Sequence, residues 1–141
     1  MTVSAKTEYA CLAMLELAAH FGRGEPLRIR QIAEKHGIPS RFLVQILIQL
    51  RNAGLVVSTR GATGGYQLAR DPRTISLAEV VNVAEGVSET TSVAAPDSPF
   101  RGVLIALWNE AARQRQQLLE SVSLAELVDR ASRSPQPMYY I

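Results

Sequence analysis

Arg41, Val44, Gln45 and Ile48 recur at three- and four-residue intervals, so a helix would line them along one stripe. Their types suit the edges of base pairs. A guanidinium and a side-chain amide offer the paired hydrogen bonds that guanine and adenine accept in a major groove, and Val44 offers apolar contact to a thymine methyl. Ile48 fits either a thymine methyl or burial beneath a neighbouring element. Further along, Ser58-Thr59-Arg60-Gly61-Ala62-Thr63-Gly64-Gly65 places hydroxyls and a guanidinium beside three glycines. Glycine permits positive φ and lets backbone come close to a phosphate or a minor groove. Taken singly, these are an ordinary wet helix face and a tight turn; in succession they favour a nucleic-acid surface. A nucleotide-binding phosphate loop is not expected, because the Gly-Lys-Ser/Thr ending is missing and no helix follows.

The elements that would carry these residues follow from periodicity and caps. Ser4 caps a helix over about Ala5 to His20, with Tyr9, Leu12, Ala13, Leu15 and Ala19 as its apolar positions and Gly22 and Gly24 beyond its end. A short helix from Arg28 to His36 stops at Gly37, and a turn through Ile38 and Pro39 leads into a helix over about Ser40 to Ala53. Phe42, Leu43, Ile46, Leu47 and Leu50 would anchor that helix to a core. Leu55 to Arg60 and Tyr66 to Arg70 read as two strands of a hairpin. The order is that of a winged helix-turn-helix.

Two Ser-x-x-Glu spacings, Ser76 to Glu79 and Ser123 to Glu126, open later helices. Between them a Ser, Thr, Ala and Pro-rich loop over 86–98 precedes a long helix from about Pro99 to Ser121, roughly 35 Å in length. Its seam of Leu104, Leu107, Trp108, Ala111, Leu118 and Leu119 outruns a small core and points to a second copy of the chain. The expected fold is mainly α with a small β-hairpin wing. Residues 1–75 would form the winged helix-turn-helix, 76–133 a dimerisation and effector region, and 134–141 an extended tail.

A chain of 141 residues with 47% hydrophobic content supports one core. The charge is uneven: residues 1–70 carry nine Lys and Arg against four Asp and Glu, whereas residues 71–141 carry six against nine. The basic half contains the candidate surface. One cysteine, Cys11, excludes an intrachain disulfide and argues against a thiolate-rich site within one chain. No apolar run reaches membrane-spanning length and no signal peptide is legible, which predicts a cytoplasmic protein. No nucleophile and base, paired carboxylates or metal ligands stand out, so an enzyme is not expected and no cofactor is assigned.

Ser4-Ala5-Lys6-Thr7-Glu8-Tyr9-Ala10, Gly37-Ile38-Pro39, Asn52-Ala53-Gly54-Leu55-Val56 and the wing from Ser58 to Ala69, with its Arg-Gly-x-x-Gly-Gly-Tyr core, resemble the Rrf2 family along nearly the whole chain. Glu85-Gly86 and Leu107-Trp108 fit the same pattern. The resemblance implies a repressor that dimerises through the long helix and binds an imperfect inverted repeat in double-stranded DNA with two recognition helices and two wings. It also exposes a departure. Cluster-binding members carry three cysteines in the loop before the long helix, and residues 86–102 contain none. Glu8 stands where some relatives supply a carboxylate ligand, but without thiolates it reads as a solvated helix residue. Cys11 reads as a core thiol, with a redox sensor the alternative; His20 and His36 lack a paired ligand at metal-binding spacing.

The end of the chain, Ser134-Pro135-Gln136-Pro137-Met138-Tyr139-Tyr140-Ile141, is extended by its prolines and closes on apolar and aromatic residues with a terminal carboxylate. It could pack back on its own dimer or serve as a peptide ligand. With the cysteine-free loop, the tail resembles a cluster-free branch of the family that regulates cysteine metabolism. That resemblance implies a partner, the pyridoxal-phosphate enzyme cysteine synthase (O-acetylserine sulfhydrylase), engaged by Tyr139, Tyr140 and the anchor Ile141. The rival readings are a protein-interaction module acting through the tail without DNA binding, and a family regulator answering an unassigned redox or small-molecule signal.

Overall fold

The computed structural model describes residues 3–86 and 92–134. Its elements run α1 (Ala5–Ala19), α2 (Ile29–His36), α3 (Ser40–Asn52), β1 (Val56–Thr59), β2 (Gly65–Leu68), a 3-10 turn (Pro72–Thr74), α4 (Leu77–Glu85), α5 (Arg101–Glu120) and α6 (Leu124–Arg133). The expected architecture, mainly helical with one antiparallel hairpin, is the one found. The tail residues Tyr139, Tyr140 and Ile141 lie outside the described residues, as do residues 87–91 of the loop.

Local chemistry sets most boundaries. Ser4 accepts a hydrogen bond from the Thr7 amide and starts α1. Gly37, at φ 66° and ψ 32°, supplies the left-handed residue that ends α2 and turns the chain towards α3. Ser76 and Glu79 form a reciprocal capping box at α4. The second Ser-x-x-Glu is only half of one: Ser123 caps the Glu126 amide, while the Glu126 carboxylate turns to Arg130 at 2.6 Å.

The core sits where α1 packs against α3, α4 and α6. Ala10, Ala13, Met14 and Leu17 of α1 meet Leu43, Ile46, Leu47 and Leu50 of α3, and Val80 and Leu124 belong to the same cluster. The face of α1 that turns inward is therefore centred on Ala13 and Met14; Tyr9, Leu12 and Leu15 are half-buried and Ala19 is exposed. Phe42 departs from its expected place in the core and is 54% exposed. It lies about 90° round the helix from the centre of the buried stripe, at the first turn, on the rim of a cleft rather than under a neighbouring element.

The wing is held in register by Val56 opposite Leu68 and Thr59 opposite Gly65. A third segment joins it: the Leu27 amide donates to the Tyr66 carbonyl at 2.9 Å, and the Tyr66 amide donates back to Leu27 at 2.7 Å. Close backbone approach, to Leu27 at one position and within the hairpin at the other, explains two glycines. A Cβ on Gly65 would stand 2.3 Å from the Leu27 oxygen, and one on Gly64 would stand 2.3 Å from the Thr59 oxygen. Their lack of a side chain is needed within the fold itself. Gly65→Ala is expected to push Leu27 off the wing and cost about 1–3 kcal/mol, measured as a lowered midpoint in chemical denaturation; an unchanged midpoint would mean that the wing relaxes freely.

Candidate nucleic-acid interface

Helix α3 presents Arg41, Val44, Gln45 and Ile48 on its uncovered side, with Val44 and Ile48 each 38% exposed. Ile48 is thus open rather than buried beneath the wing. Ser58, Thr59, Arg60, Gly61 and Thr63 are exposed around the wing turn, whereas Gly64 is buried and Gly65 half-buried. Gly61, at φ +108° with open space around it, is the glycine whose conformation shapes the tip.

Two clefts flank α3. On one side Arg41, Gln45 and Gln49 face Lys6 and Tyr9 of α1 across a cleft of about 600 Å³. On the other, Arg51 at the end of α3 meets Arg60, Ser58 and Thr59 of the wing and Arg28 at the start of α2 across about 500 Å³. Sequence reasoning had not singled out Lys6, Arg28 or Arg51. Lys6 follows a helix cap and Arg51 sits in a helix end, so neither position advertises a binding role; only the folded arrangement brings them beside the stripe.

The ion pairs sort the cations by place. Arg70 binds Glu79 at 2.6 Å, Arg73 binds Asp71 at 2.7 Å, Arg115 binds Glu85 at 3.1 Å and Arg133 binds Asp129 at 2.7 Å. Arg30, Lys35, Arg113 and Arg130 are also paired with carboxylates. Among the described residues this leaves seven Lys and Arg without an ion pair, Lys6, Arg23, Arg28, Arg41, Arg51, Arg60 and Arg101, and five of the seven line the two clefts beside α3. Charges that no carboxylate neutralises keep their field for an outside anion.

A separate polar cluster fixes how α1 and α2 meet. Glu16, 8% exposed, accepts from Lys35 Nζ at 3.1 Å and contacts His36 Nε2 at 2.9 Å on α2, with His20 Nδ1 at 3.3 Å on its own helix. The two histidines, unassigned by spacing, thus share one carboxylate. Burial alone would raise the Glu16 pKa, but the hydrogen bonds from His36 and Lys35 outweigh it and hold the carboxyl below its ordinary value. A group that binds its proton more weakly folded than unfolded stabilises the fold fully above its unfolded pKa and loses that contribution as pH falls through its folded one. Glu16→Gln is therefore expected to cost about 1–3 kcal/mol near neutral pH and to flatten the acid limb of stability against pH. Parallel acid limbs in the two proteins would show that Glu16 carries none of it.

Cys11 is half-buried on α1. Burial, then the carboxylates of Glu85 and Glu8, push its thiol up to about 11, so at neutral pH it is protonated and a poor nucleophile or ligand. Glu8 itself is exposed, as expected of a solvated helix residue.

The long helix is exposed along its apolar seam: α5 contains no buried residue, and Leu104, Leu107, Trp108 and Leu118 are 47%, 57%, 55% and 64% exposed. Ala111 is exposed on the same helix. Among the described residues no helix is long and apolar enough to cross a membrane.

Comparison with known proteins agrees with this geometry. The model of the Rrf2 family, described as an iron-dependent transcriptional regulator, matches residues 3–130. The chain is 36% identical over 131 residues to the HTH-type transcriptional regulator IscR of Xenorhabdus nematophila, covering 91% of this chain and 79% of that protein. It is 34% identical over 127 residues to the HTH-type transcriptional regulator CymR of Bacillus subtilis, covering 90% and 89%. Among solved structures, T. potens IscR superposes with a TM-score of 0.79 at 35% identity, covering 100% of this chain and 97% of that one. The structure of B. subtilis CymR, described as the global cysteine regulator, gives 0.74 at 32% identity, covering 92% and 97%. These relatives are transcriptional regulators, not enzymes.

The iron in the family description does not fit the residues present. An iron-sulfur cluster is held by several thiolates, and the whole chain has one cysteine, Cys11. Among the described residues no group of three or more His, Cys, Asp or Glu is placed to hold a metal ion. By fold, by sequence along nearly its whole length and by the geometry of α3 and its wing, the chain belongs to the Rrf2 family of winged helix-turn-helix transcriptional regulators, as a member without the ligands for a cysteine-held cluster.

Proposed function

We propose that this protein is a homodimeric repressor that binds an imperfect inverted repeat in double-stranded DNA without an iron-sulfur cluster. The observation that carries the reading is the set of five cations, without an ion pair among the described residues, that flanks the exposed stripe of α3. In this reading Arg41 and Gln45 hydrogen-bond base edges, and Val44, with Ile48 beside it, covers thymine methyls. Ser58, Thr59, Arg60, Gly61 and Thr63 hold the backbone or enter the minor groove, with Gly64 and Gly65 setting the turn that lets them do so. Residues 1–75 contact the operator and residues 76–133 bring two copies together through Leu104, Leu107, Trp108, Ala111 and Leu118. Cytoplasmic localisation follows from that role. The test is duplex binding by the purified chain against rising salt: affinity should fall steeply, by a power set by the number of phosphates contacted. Salt-insensitive or absent binding would leave a protein-interaction module acting through its tail.

The signal that sets operator occupancy is a protein partner in this reading. Similarity to CymR, the global cysteine regulator of B. subtilis, favours cysteine synthase (O-acetylserine sulfhydrylase), engaged by Tyr139, Tyr140 and Ile141. A terminal carboxylate behind an apolar side chain suits a site built for an amino acid. Titrating cysteine synthase with the intact chain and with a chain lacking Ile141, followed by cofactor fluorescence, should give saturable binding only for the intact chain. No binding by the intact chain would leave the signal unassigned.

A further inference from the structure

We propose that Arg28 completes a three-arginine seat for a DNA backbone phosphate between α3 and the wing, and that the same side chain pins the wing turn to the start of α2. The proposal rests on the DNA-binding reading and adds to it a residue outside both the recognition helix and the hairpin. Arg28 is fixed from two sides. The preceding residue, Leu27, exchanges backbone hydrogen bonds with Tyr66 of β2 at 2.9 and 2.7 Å. The Arg28 amide donates to Gln31 Oε1 at 2.8 Å, which closes the first turn of α2. With its backbone held, the exposed side chain crosses to the wing and Nη2 donates to the Ala62 carbonyl at the tip.

That hydrogen bond uses one of the five N–H donors of a guanidinium. The Arg28 side chain lines a cleft of about 500 Å³ together with Arg51, Arg60, Ser58 and Thr59, and borders a second one that Glu25 and Glu34 line. No acidic side chain lines the first cleft, and among the described residues none of the three arginines is ion-paired. Three like charges around one cleft repel one another, and an anion entering it would relieve that repulsion. A phosphodiester matches the chemistry: a single negative charge, oxygens that accept from forked guanidinium donors, and a position beside a helix stripe suited to a groove. Arg28 then acts twice, as a charge on the phosphate and as the tie that keeps Arg60 and the wing tip at a fixed distance from α3.

The two roles separate by substitution. Arg28→Ala removes both charge and tie, Arg28→Gln retains an N–H donor for Ala62 without the charge, and Arg28→Lys retains the charge. Each is compared with the intact chain for binding to one specific and one unrelated duplex across a salt series, with a thermal melt to confirm folding. The expected result is that the Ala and Gln variants each weaken specific and unrelated duplexes to a similar extent and flatten the log–log salt slope by roughly 0.9 per protomer, with Ala losing more affinity than Gln because the tie to Ala62 goes as well. Lys should keep most of the slope. Salt-dependent binding by the intact chain with unchanged slopes in the folded Gln and Ala variants would overturn the seat while leaving the DNA reading in place. Absence of salt-dependent binding by the intact chain would instead overturn the DNA reading, and the seat with it. Displacement of duplex by inorganic phosphate at matched ionic strength would assign the cleft to a free anion and overturn the backbone assignment.

Discussion

Leu107→Asp is expected to leave a folded 15.4 kDa monomer that has lost tight operator binding. Leu107 is 57% exposed in the single chain and lies on a helix with no buried residue, so the substitution removes nothing from the core of α1, α3, α4 and Leu124. In a dimer built on the α5 seam, however, it would place a carboxylate among Leu104, Trp108 and Leu118 of two copies, where losing its hydration costs several kcal/mol. The consequence for DNA is larger than for the fold. Two half-site contacts on one rigid dimer reinforce each other by about 10²–10⁴ in affinity, and a monomer forfeits that gain. Sedimentation should show the smaller species, circular dichroism a retained helical spectrum with a melt lowered only by the stabilisation the dimer had supplied, and binding to an inverted repeat a loss of at least two orders of magnitude. A dimer that survives with Asp at this position would move the interface off α5.

Arg41→Ala and Arg60→Ala are expected to fail in different ways. Arg41 stands at the exposed start of α3 and Arg60 at the wing. If Arg41 reads a base edge, its loss costs about 1–3 kcal/mol per half-site and relaxes preference at one position of each, with little change in binding to unrelated duplexes. If Arg60 holds the backbone, its loss weakens binding to every duplex and flattens the salt slope by about 0.9 per protomer. Equal losses on specific and unrelated duplexes for Arg41→Ala would reduce it to a phosphate contact, and unchanged affinity for Arg60→Ala would remove the wing from the mechanism.

The winged architecture was legible because each of its parts has a local cause. Ser4, Ser76 and Ser123 cap helices through their own hydroxyls, Gly37 turns the helix-turn-helix, and the alternating buried positions of α3 follow a 3.6-residue period. What stayed hidden depends on contacts distant in sequence. The charge imbalance between the two halves was visible, but which cations are neutralised is settled by pairs such as Arg115 with Glu85 and Arg70 with Glu79. Arg28 gave no sign because its partner, Ala62, offers only a backbone carbonyl. Glu16 carries no signal of its own, because the partners that fix it, Lys35 and His36, come from α2, nineteen and twenty residues on. The glycines were recognised for their freedom, yet Gly64 and Gly65 are required for closeness to Thr59 and Leu27, which no local pattern predicts. Phe42 shows the converse error: apolar character placed it in the core, and its angular position on the helix keeps it out.

The most direct test is selection from a pool of random-sequence duplexes by the full chain, purified and held in excess chelator. The account predicts enrichment of an imperfect inverted repeat with half-sites one helical turn or a multiple apart, bound with a steep salt dependence and without metal. A pool that emerges unenriched, or enrichment that appears only when iron and sulfide are supplied, would contradict it.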